Sequence, residues 1–498
     1  MTKLILPSIS ISLIATIISM ICGILFGAIF FRIMGPANFG IYGMVQLIVS
    51  IYALLEFSLS PFIIRELSKI FKSDRIKIYE YVFFSLFFGF FLSVFAAFVL
   101  MLTTTFAIKI LAPDKLSDVY HLIPITSLLL FAIMLQIFVS AFFYAFHLQH
   151  LAMIFNSIIW VLRIGVGFVF IKFEGNQILR LVEAQIISMF FVIIIEIVYL
   201  IRTFKVEFSF IKLKNSFQVS KFILLDYLKF ARQYYSATLL GLFFSSLDRI
   251  IFVRLFSSYE FGCYILAKNI VMGMYAIMQA IGTHAYPLFS SQVKDSKELI
   301  KTYFTYQSIL SILFLPIITV FLISSDKIMF YYSGNFQDGI LASWYLLFLI
   351  YGVFSTVTGS LAQTLVVANR NEKIFFISNL VMLIFVSVIF CICESLKYYG
   401  LIVPKIISNI FLVTFAIVPL IGSVISLYSV HRTILPNLIK KVVFPVWILP
   451  FSLAFVLSVF QLPMIKNDLV YSTIVFALII IFIIMMILYT KKTNLKLN

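Results

Sequence analysis

Phe31-Arg32-Ile33-Met34-Gly35-Pro36-Ala37-Asn38-Phe39-Gly40-Ile41-Tyr42 lines up with Val253-Arg254-Leu255-Phe256-Ser257-Ser258-Tyr259-Glu260-Phe261-Gly262-Cys263-Tyr264, Arg, Phe, Gly and Tyr recurring at a constant offset of 222 residues. Each copy joins one long apolar run to the next. About fourteen such runs fill the chain, roughly at 4–31, 41–64, 82–108, 122–146, 151–171, 178–201, 233–256, 262–289, 302–325, 340–367, 374–393, 399–427, 442–461 and 470–490. About 20 apolar residues, rising roughly 1.5 Å each, cross a hydrocarbon core about 30 Å thick. Six runs separate the copies, so the two halves are predicted to have the same orientation, related by an axis along the membrane normal.

The expected fold is an all-α polytopic membrane protein with about fourteen transmembrane helices. Two like-oriented six-helix lobes, 1–201 and 233–430, are predicted to flank a central cavity near the midplane, with a basic linker at 202–232. Residues 431–498 add a helix pair and a basic tail. Rocking of one lobe against the other would open the cavity to each side in turn, which is transporter architecture. Continuous apolar runs favour helices over a β-barrel, whose strands alternate polar and apolar in segments of about ten residues.

Hydrophobic residues make up 63% of the chain and charged residues 11%, against about a quarter charged in soluble proteins. Lys3 followed by Leu4 to Phe31 has the charge pattern of a signal peptide, but the run is too long and lacks a small-residue cleavage site, so it reads as a retained first span. Cys22, Cys263, Cys391 and Cys393 form no CxxC pair and read as apolar packing residues.

The net charge of +17 does not point to nucleic acid, because it is concentrated in loops on one side. Even-numbered loops and the termini carry 24 Lys and Arg, the odd-numbered loops together with the adjoining span-end residues Arg180 and Arg254 carry 9, and Arg163, Arg249, Lys268 and Lys405 fall deeper inside spans. Short basic loops stay in the cytoplasm, so both termini are predicted there. The linker interleaves Phe, Ile and Leu with Lys, and reads either as a plain basic connector or in part as an amphipathic helix on anionic lipid.

Several short patterns now converge. Met34 to Tyr42, Leu55-Glu56-Phe57-Ser58-Leu59-Ser60 with Arg65, Leu247-Asp248-Arg249-Ile250-Ile251, Phe261-Gly262-Cys263-Tyr264, Pro287-Leu288-Phe289-Ser290, Tyr332-Ser333-Gly334-Asn335-Phe336 and Leu365-Val366-Val367-Ala368-Asn369 occur in order. Over residues 1 to about 430 the chain resembles the polysaccharide and O-antigen flippases (Wzx-type). Their superfamily, the MATE-like multidrug/oligosaccharidyl-lipid/polysaccharide exporters, also holds MATE drug exporters and the peptidoglycan-precursor flippase. Two departures bear on helix geometry: Ser58 stands where that pattern has glycine, and Gln233 lies near a position where proline often opens the seventh helix. The resemblance implies a bacterial inner-membrane carrier that moves a polyprenyl-pyrophosphate-linked oligosaccharide, such as an O-antigen, capsule or lipopolysaccharide repeat unit, to the outer leaflet. It also implies membrane lipids as surroundings, H⁺ or Na⁺ as coupling ion, and a polysaccharide polymerase and chain-length proteins as partners.

Charges inside spans cost about 2.5–3.5 kcal/mol each at a helix centre and so mark candidate sites. Arg163, mid-way along the fifth span, is a candidate pyrophosphate anchor through bidentate hydrogen bonds; the other reading is a buried pair with Glu56, Glu183 or Glu196. Gln46, Ser50, Glu56 and Ser60 share an arc of the second span, and Lys268, Tyr275, Gln279, Gly282 and Tyr286 share one on the eighth. Lys268 is the repeat partner of Gln46 and is read as a cavity cation or as one that snorkels to the headgroups. Asp248 is a candidate ion-coupling group and Arg249 a substrate contact, or the two serve in an interhelical bridge or lid. Lys405 is a cavity cation or a partner of Glu394, and His284 reads as a packing histidine. Glu183, Glu196 and Arg32 fall near span ends and read as solvated or paired, while Pro61, Pro287, Pro316, Pro404, Pro445 and Pro450 are expected to interrupt helices.

No nucleotide loop, HExxH or CxxC motif is present and no cofactor is expected. A MATE-type exporter of cations or drugs is the nearest alternative, and it would want an acidic cavity where the mid-span charges lean basic. A polymerase or ligase would carry a long outward loop with Arg and His, and the outward loops here, near 109–121 and 326–340, are short.

Overall fold

The computed structural model describes residues 2–433 apart from 71–74, 112, 147, 205–222, most of 232–245, 293–295, 369–371 and 399–403. The last two predicted runs, 442–461 and 470–490, lie outside the described residues. Helix α1 (Thr2–Tyr52) turns sharply at Gly35, and a 3₁₀ turn (Ala53–Glu56) follows it. Then come α2 (Leu59–Ile70), α3 (Arg75–Leu111), α4 (Leu116–Tyr120), α5 (Ile123–Ala145), α6 (Gln149–Phe170) and α7 (Gln177–Phe204). Residues 223–231 are helical, and the described part of α8 covers 246–255. The order ends with α9 (Ser258–Gln292), α10 (Ser296–Ser333), α11 (Phe336–Ala368), α12 (Glu372–Tyr398) and α13 (Pro404–Thr433).

Among the described residues no strand occurs, and 10 helical stretches are long and apolar enough to span a bilayer. One of them, Ile14–Glu56, takes in most of the first predicted run and much of the second. Helices satisfy their own backbone groups where lipid offers none. Their outer faces suit acyl chains: Phe87, Phe91, Phe95, Phe98 and Leu102 all stand exposed along α3. The chain is thus a multi-pass membrane protein.

The chain divides into two compact units, 1–262 and 263–498. In the first, α1 packs on α6, α3 on α5, and both α5 and α6 on α7. In the second, α11 packs between α10 and α13, and α12 lies on α13, where the Ser423 hydroxyl donates to the Ser355 carbonyl of α11.

Both copies of the repeated segment break at the same place. Gly35 takes φ 76° and ψ 163°, a region open to glycine and costly for other residues. The gap between α8 and α9, at 256–257, falls at the matching position. The two turns then meet, and the contact is reciprocal: a Cβ on Gly40 would lie 1.9 Å from the Ser258 carbonyl oxygen, and one on Gly262 would lie 1.9 Å from that of Pro36. Pro36 and Ser258 are themselves related by the repeat, so each turn places a carbonyl on the other's glycine.

The second turn has further supports. Ser257 and Glu260 form a reciprocal capping box, the Ser257 backbone N–H donating to Glu260 Oε2 at 2.9 Å and the Glu260 N–H to Ser257 Oγ at 3.2 Å. Buried Lys115, from the connection before α4, donates to the carbonyls of Val253 and Phe256 at the end of α8. Its burial pushes the amine below the usual lysine range, with Asp114, Glu260 and Asp118 pulling the other way.

The second predicted run, 41–64, is not one helix. Phe57 (φ 48°) and Ser58 (φ 63°) are left-handed and separate α1 and its 3₁₀ turn from α2. The polar arc from Gln46 to Ser60 presupposed a continuous helix, so this break divides it. Glu56 Oε1 accepts the Ser60 N–H at 2.9 Å, and Pro61 sits in the first turn of α2, where its missing N–H costs nothing. Pro404 likewise opens α13 rather than interrupting a helix. The 223–231 helix of the linker docks on α2: Tyr227 Oη donates to the Phe57 carbonyl at 3.0 Å, Phe62 packs against Tyr227 and Phe230, and the Arg65 guanidinium lies 4.2 Å from the Phe230 ring centre.

Gly40→Val would drive a side chain into the Ser258 carbonyl; overpacking of this kind costs about 1–3 kcal/mol, and the loss should appear in thermal unfolding of the purified protein. Ser58→Gly should act in the opposite sense, stabilising by about 1 kcal/mol because a left-handed non-glycine residue is strained. A lower melting temperature for Ser58→Gly would refute the hinge geometry.

Candidate functional site

The strongest polar cluster inside the first unit lies where α1, α6 and α7 meet. From α1, Gln46 Nε2 donates to Gln185 Oε1 at 3.0 Å, and Gln185 Nε2 donates to Tyr42 Oη. Tyr42 interacts electrostatically with Arg163 of α6. The Arg163 guanidinium lies 4.9 Å from the centre of the Trp160 ring, and its Nη2 points at the Met189 sulfur, 3.4 Å away. Phe26 and Phe39 pack against the Tyr42 ring, and Phe26 packs in turn against Trp160.

Among the described residues the charge of Arg163 has no counter-charge. Its close contacts among them are Trp160 and Met189, with Tyr42 near enough to interact electrostatically, and its Nε is buried with no hydrogen-bond partner. The three carboxylates considered for it are engaged elsewhere: Glu56 with Ser60, Glu183 with Arg180 at 2.9 Å, and Glu196 with Gln136 at 3.0 Å. A thioether and an indole face solvate a guanidinium weakly and leave its hydrogen-bonding edge open for an oxyanion.

Arg249 in α8 is similar. Its Nη2 donates to Ser246 Oγ at 3.0 Å, its Nε is buried without a partner, and no carboxylate pairs with it among the described residues. Asp248 is buried at 6% exposure and its Oδ1 accepts the Arg249 backbone N–H at 2.8 Å. Glu56 serves as the N-terminal cap of α2. Gln46 joins the Arg163 cluster through Gln185 and Tyr42.

The remaining candidates belong to the second unit. Lys268 in α9 is buried, with its ammonium 6.0 Å from the Tyr264 ring centre, and Gln279 three turns later is exposed. Lys405 lies in the first turn of α13, and its side chain, like those of Glu394 and His284, lies outside the described residues.

Two features escape a reading based on charges alone. Gln185 is a neutral residue in an apolar run, visible in the sequence but given meaning only when α7 packs on α1. Glu196 requires a correction: predicted as solvated or paired near a span end, it is fully buried at 0% exposure on α7 and is held by a glutamine, not a cation. Eight residues of helix follow it, enough to carry it below the surface.

The family described as polysaccharide biosynthesis protein matches residues 5–293, more than half of the chain. No curated protein matches the sequence. Among solved structures, the lipid II flippase MurJ in an inward closed conformation is 17% identical and superposes with a TM-score of 0.71 over 96% of this chain and 99% of its own. A eukaryotic MATE transporter is 11% identical, with a TM-score of 0.62 over 88% of this chain and 98% of its own. A MOP superfamily transporter from Pyrococcus furiosus is 15% identical, with a TM-score of 0.54 over 85% and 95%. At such identities the likeness is one of fold. Taken with the helical architecture, these findings show that the chain has the fold of the MurJ and MATE transporters and belongs to the polysaccharide biosynthesis protein family.

Proposed function

We propose that the protein is a flippase that carries a polyprenyl-pyrophosphate-linked oligosaccharide across the bacterial cytoplasmic membrane by alternating access. The observation that supports this reading is Arg163, a guanidinium inside a membrane helix with no carboxylate among its described neighbours. A fixed charge in that setting is expensive, and an anionic cargo offsets the cost. The pyrophosphate is the part of such a lipid that stays constant while the sugars vary, and a guanidinium edge matches its oxygens with two parallel hydrogen bonds.

In this reading Arg249, Lys268 and Lys405 supply further positive charge along the cargo's path. Gln46, Gln185 and Tyr42 orient Arg163, and Gln279 offers a polar contact to sugar. Residues 1–201 and 233–430 act as the two moving lobes, joined by 202–232, and residues 431–498 form an added helix pair. Both termini face the cytoplasm. A cation exporter of MATE type is the second reading; the uncompensated guanidiniums of Arg163 and Arg249 weigh against it, because they would repel its cargo.

Arg163→Ala should reduce delivery of lipid-linked repeat units in a complementation assay by roughly tenfold to a hundredfold, the equivalent of about 1.5–3 kcal/mol for a charged hydrogen-bonding partner. Arg163→Lys should recover part of it. Wild-type delivery by Arg163→Ala at equal protein level would remove the anchor. For Lys268, Arg should preserve transport and Gln should not if the ammonium meets phosphate, whereas free replacement by Gln would mean that it only anchors its helix. Topology is tested by labelling from outside the cell: a cysteine at exposed Gln337 should react and one at Ser209 should not. Gln337 is preferred to neighbouring Ser333, which is buried and donates to the Asn335 carbonyl.

A further inference from the structure

The first unit holds a second buried polar cluster, in which no described cation takes part. Glu196 on α7 has no exposed surface, and both carboxyl oxygens lie 3.0 Å from one nitrogen, Gln136 Nε2 on α5. Gln136 is itself buried, at 8% exposure. The same nitrogen lies 3.1 Å from Ser140 Oγ, and the Ser140 hydroxyl is also within hydrogen-bonding reach of the carboxyl. Gln136 Oε1, by contrast, is buried with no partner. No Lys, Arg or His pairs with Glu196 among the described residues.

An isolated carboxylate in this setting is costly, and a single amide donor offsets little of it. The geometry has a simple resolution, because an amide can turn end for end. With Glu196 ionised, the amide N–H groups face the carboxylate and Ser140, as in this structure. With Glu196 protonated, the carboxyl needs an acceptor; turning the Gln136 amide by half a revolution brings the now unpartnered Oε1 to that place, where it accepts from Glu196 O–H and Ser140 O–H. Each protonation state therefore has its own hydrogen-bond arrangement within the same three side chains.

We propose that Glu196, Gln136 and Ser140 form a proton-binding site that couples proton movement to transport, a proposal that rests on the transporter reading above. The carboxylate takes one proton from water and returns it to water, with no other reactant. The elements packed against α7 contribute few competing groups. On α5, Tyr144 lies close enough to interact with Glu196, and its hydroxyl is spent on the Met153 sulfur at 3.8 Å. On α7 itself Tyr199 packs against Phe143 and Phe155. α6 carries His150 in its first turn and Arg163, and Arg163 meets α7 at Met189, about 10 Å along the helix from Glu196 at 1.5 Å per residue. α1 carries Arg32 and Tyr42, and Tyr42 is held by Gln185. The link to the cargo site is direct: Gln185 and Met189, which touch the Arg163 cluster, lie on the same helix as Glu196.

Infrared difference spectra of the full-length protein in lipid nanodiscs, taken between acid and alkaline pH, test the site without any cargo. A protonated-carboxyl band should come and go with pH in the wild type and be lost in Glu196→Gln, while Glu196→Asp should keep it at a shifted position. In cells, delivery of lipid-linked repeat units should depend on external pH in the wild type and lose that dependence in Glu196→Gln. A band that never titrates, one that persists in Glu196→Gln, an unaltered pH profile in that variant, or a response to sodium chloride over choline chloride in place of pH would each overturn the proposal. If the band titrates as expected but no lipid-linked oligosaccharide is moved, the proton site stands and the cargo assignment falls.

Discussion

Lipid offers no hydrogen-bonding partner, and every polar atom in this molecule must be accounted for under that constraint. Backbone groups are satisfied inside long helices. Most hydroxyls are satisfied just as locally: Ser93, Thr104, Ser188, Ser311 and Thr319 each donate to the carbonyl four residues back, at 2.6–2.8 Å. Such bonds ask nothing of the tertiary structure. Against that background a few groups stand out because they cannot be settled within their own helix, and Arg163, Arg249 and Glu196 are foremost among them. Each carries a cost of several kcal/mol if left charged and alone, and the fold retains them.

The constraint also explains how the repeated turns are built. Where no hydrophobic force draws helices together within lipid, close backbone approach through small residues provides the contact. Gly40 and Gly262 allow each turn to lay a carbonyl on the other, and the capping box of Ser257 and Glu260 with the Lys115 ammonium closes the end of the second turn. The left-handed pair Phe57 and Ser58 is the opposite kind of feature, a strained point that the linker helix clasps through Tyr227. Rigid contact at one end of the α1 to α2 segment and a strained joint at the other suit a helix that moves as a lever.

Helix α7 ties the proposed cargo and proton sites together. Gln185 and Met189 face the Arg163 cluster, and Glu196 lies two turns further on. A change in the hydrogen bonds at Glu196 that shifts α7 relative to α5 would be felt at Arg163 through side chains already in contact. Coupling of this kind needs two discrete arrangements, and the proposed reversal of the Gln136 amide would supply them.

Much of the fold was legible in the residue order because membrane helices write themselves as long apolar runs, and the described helices fall where those runs lie. The 222-residue offset located the paired turns, and the glycine expected at 58 marked a position whose backbone is left-handed. Arg163, Arg249 and Lys268 were visible as charges out of place. Their partners were not visible, because a helix wheel gives a direction and no distance. That Glu56, Glu183 and Glu196 all turn away from Arg163, that Gln185 reaches both Gln46 and Tyr42, and that Glu196 meets Gln136 were decided only by packing of α1, α5, α6 and α7. Hydropathy is a property of each segment by itself, while the pairing of buried polar groups belongs to the space between segments.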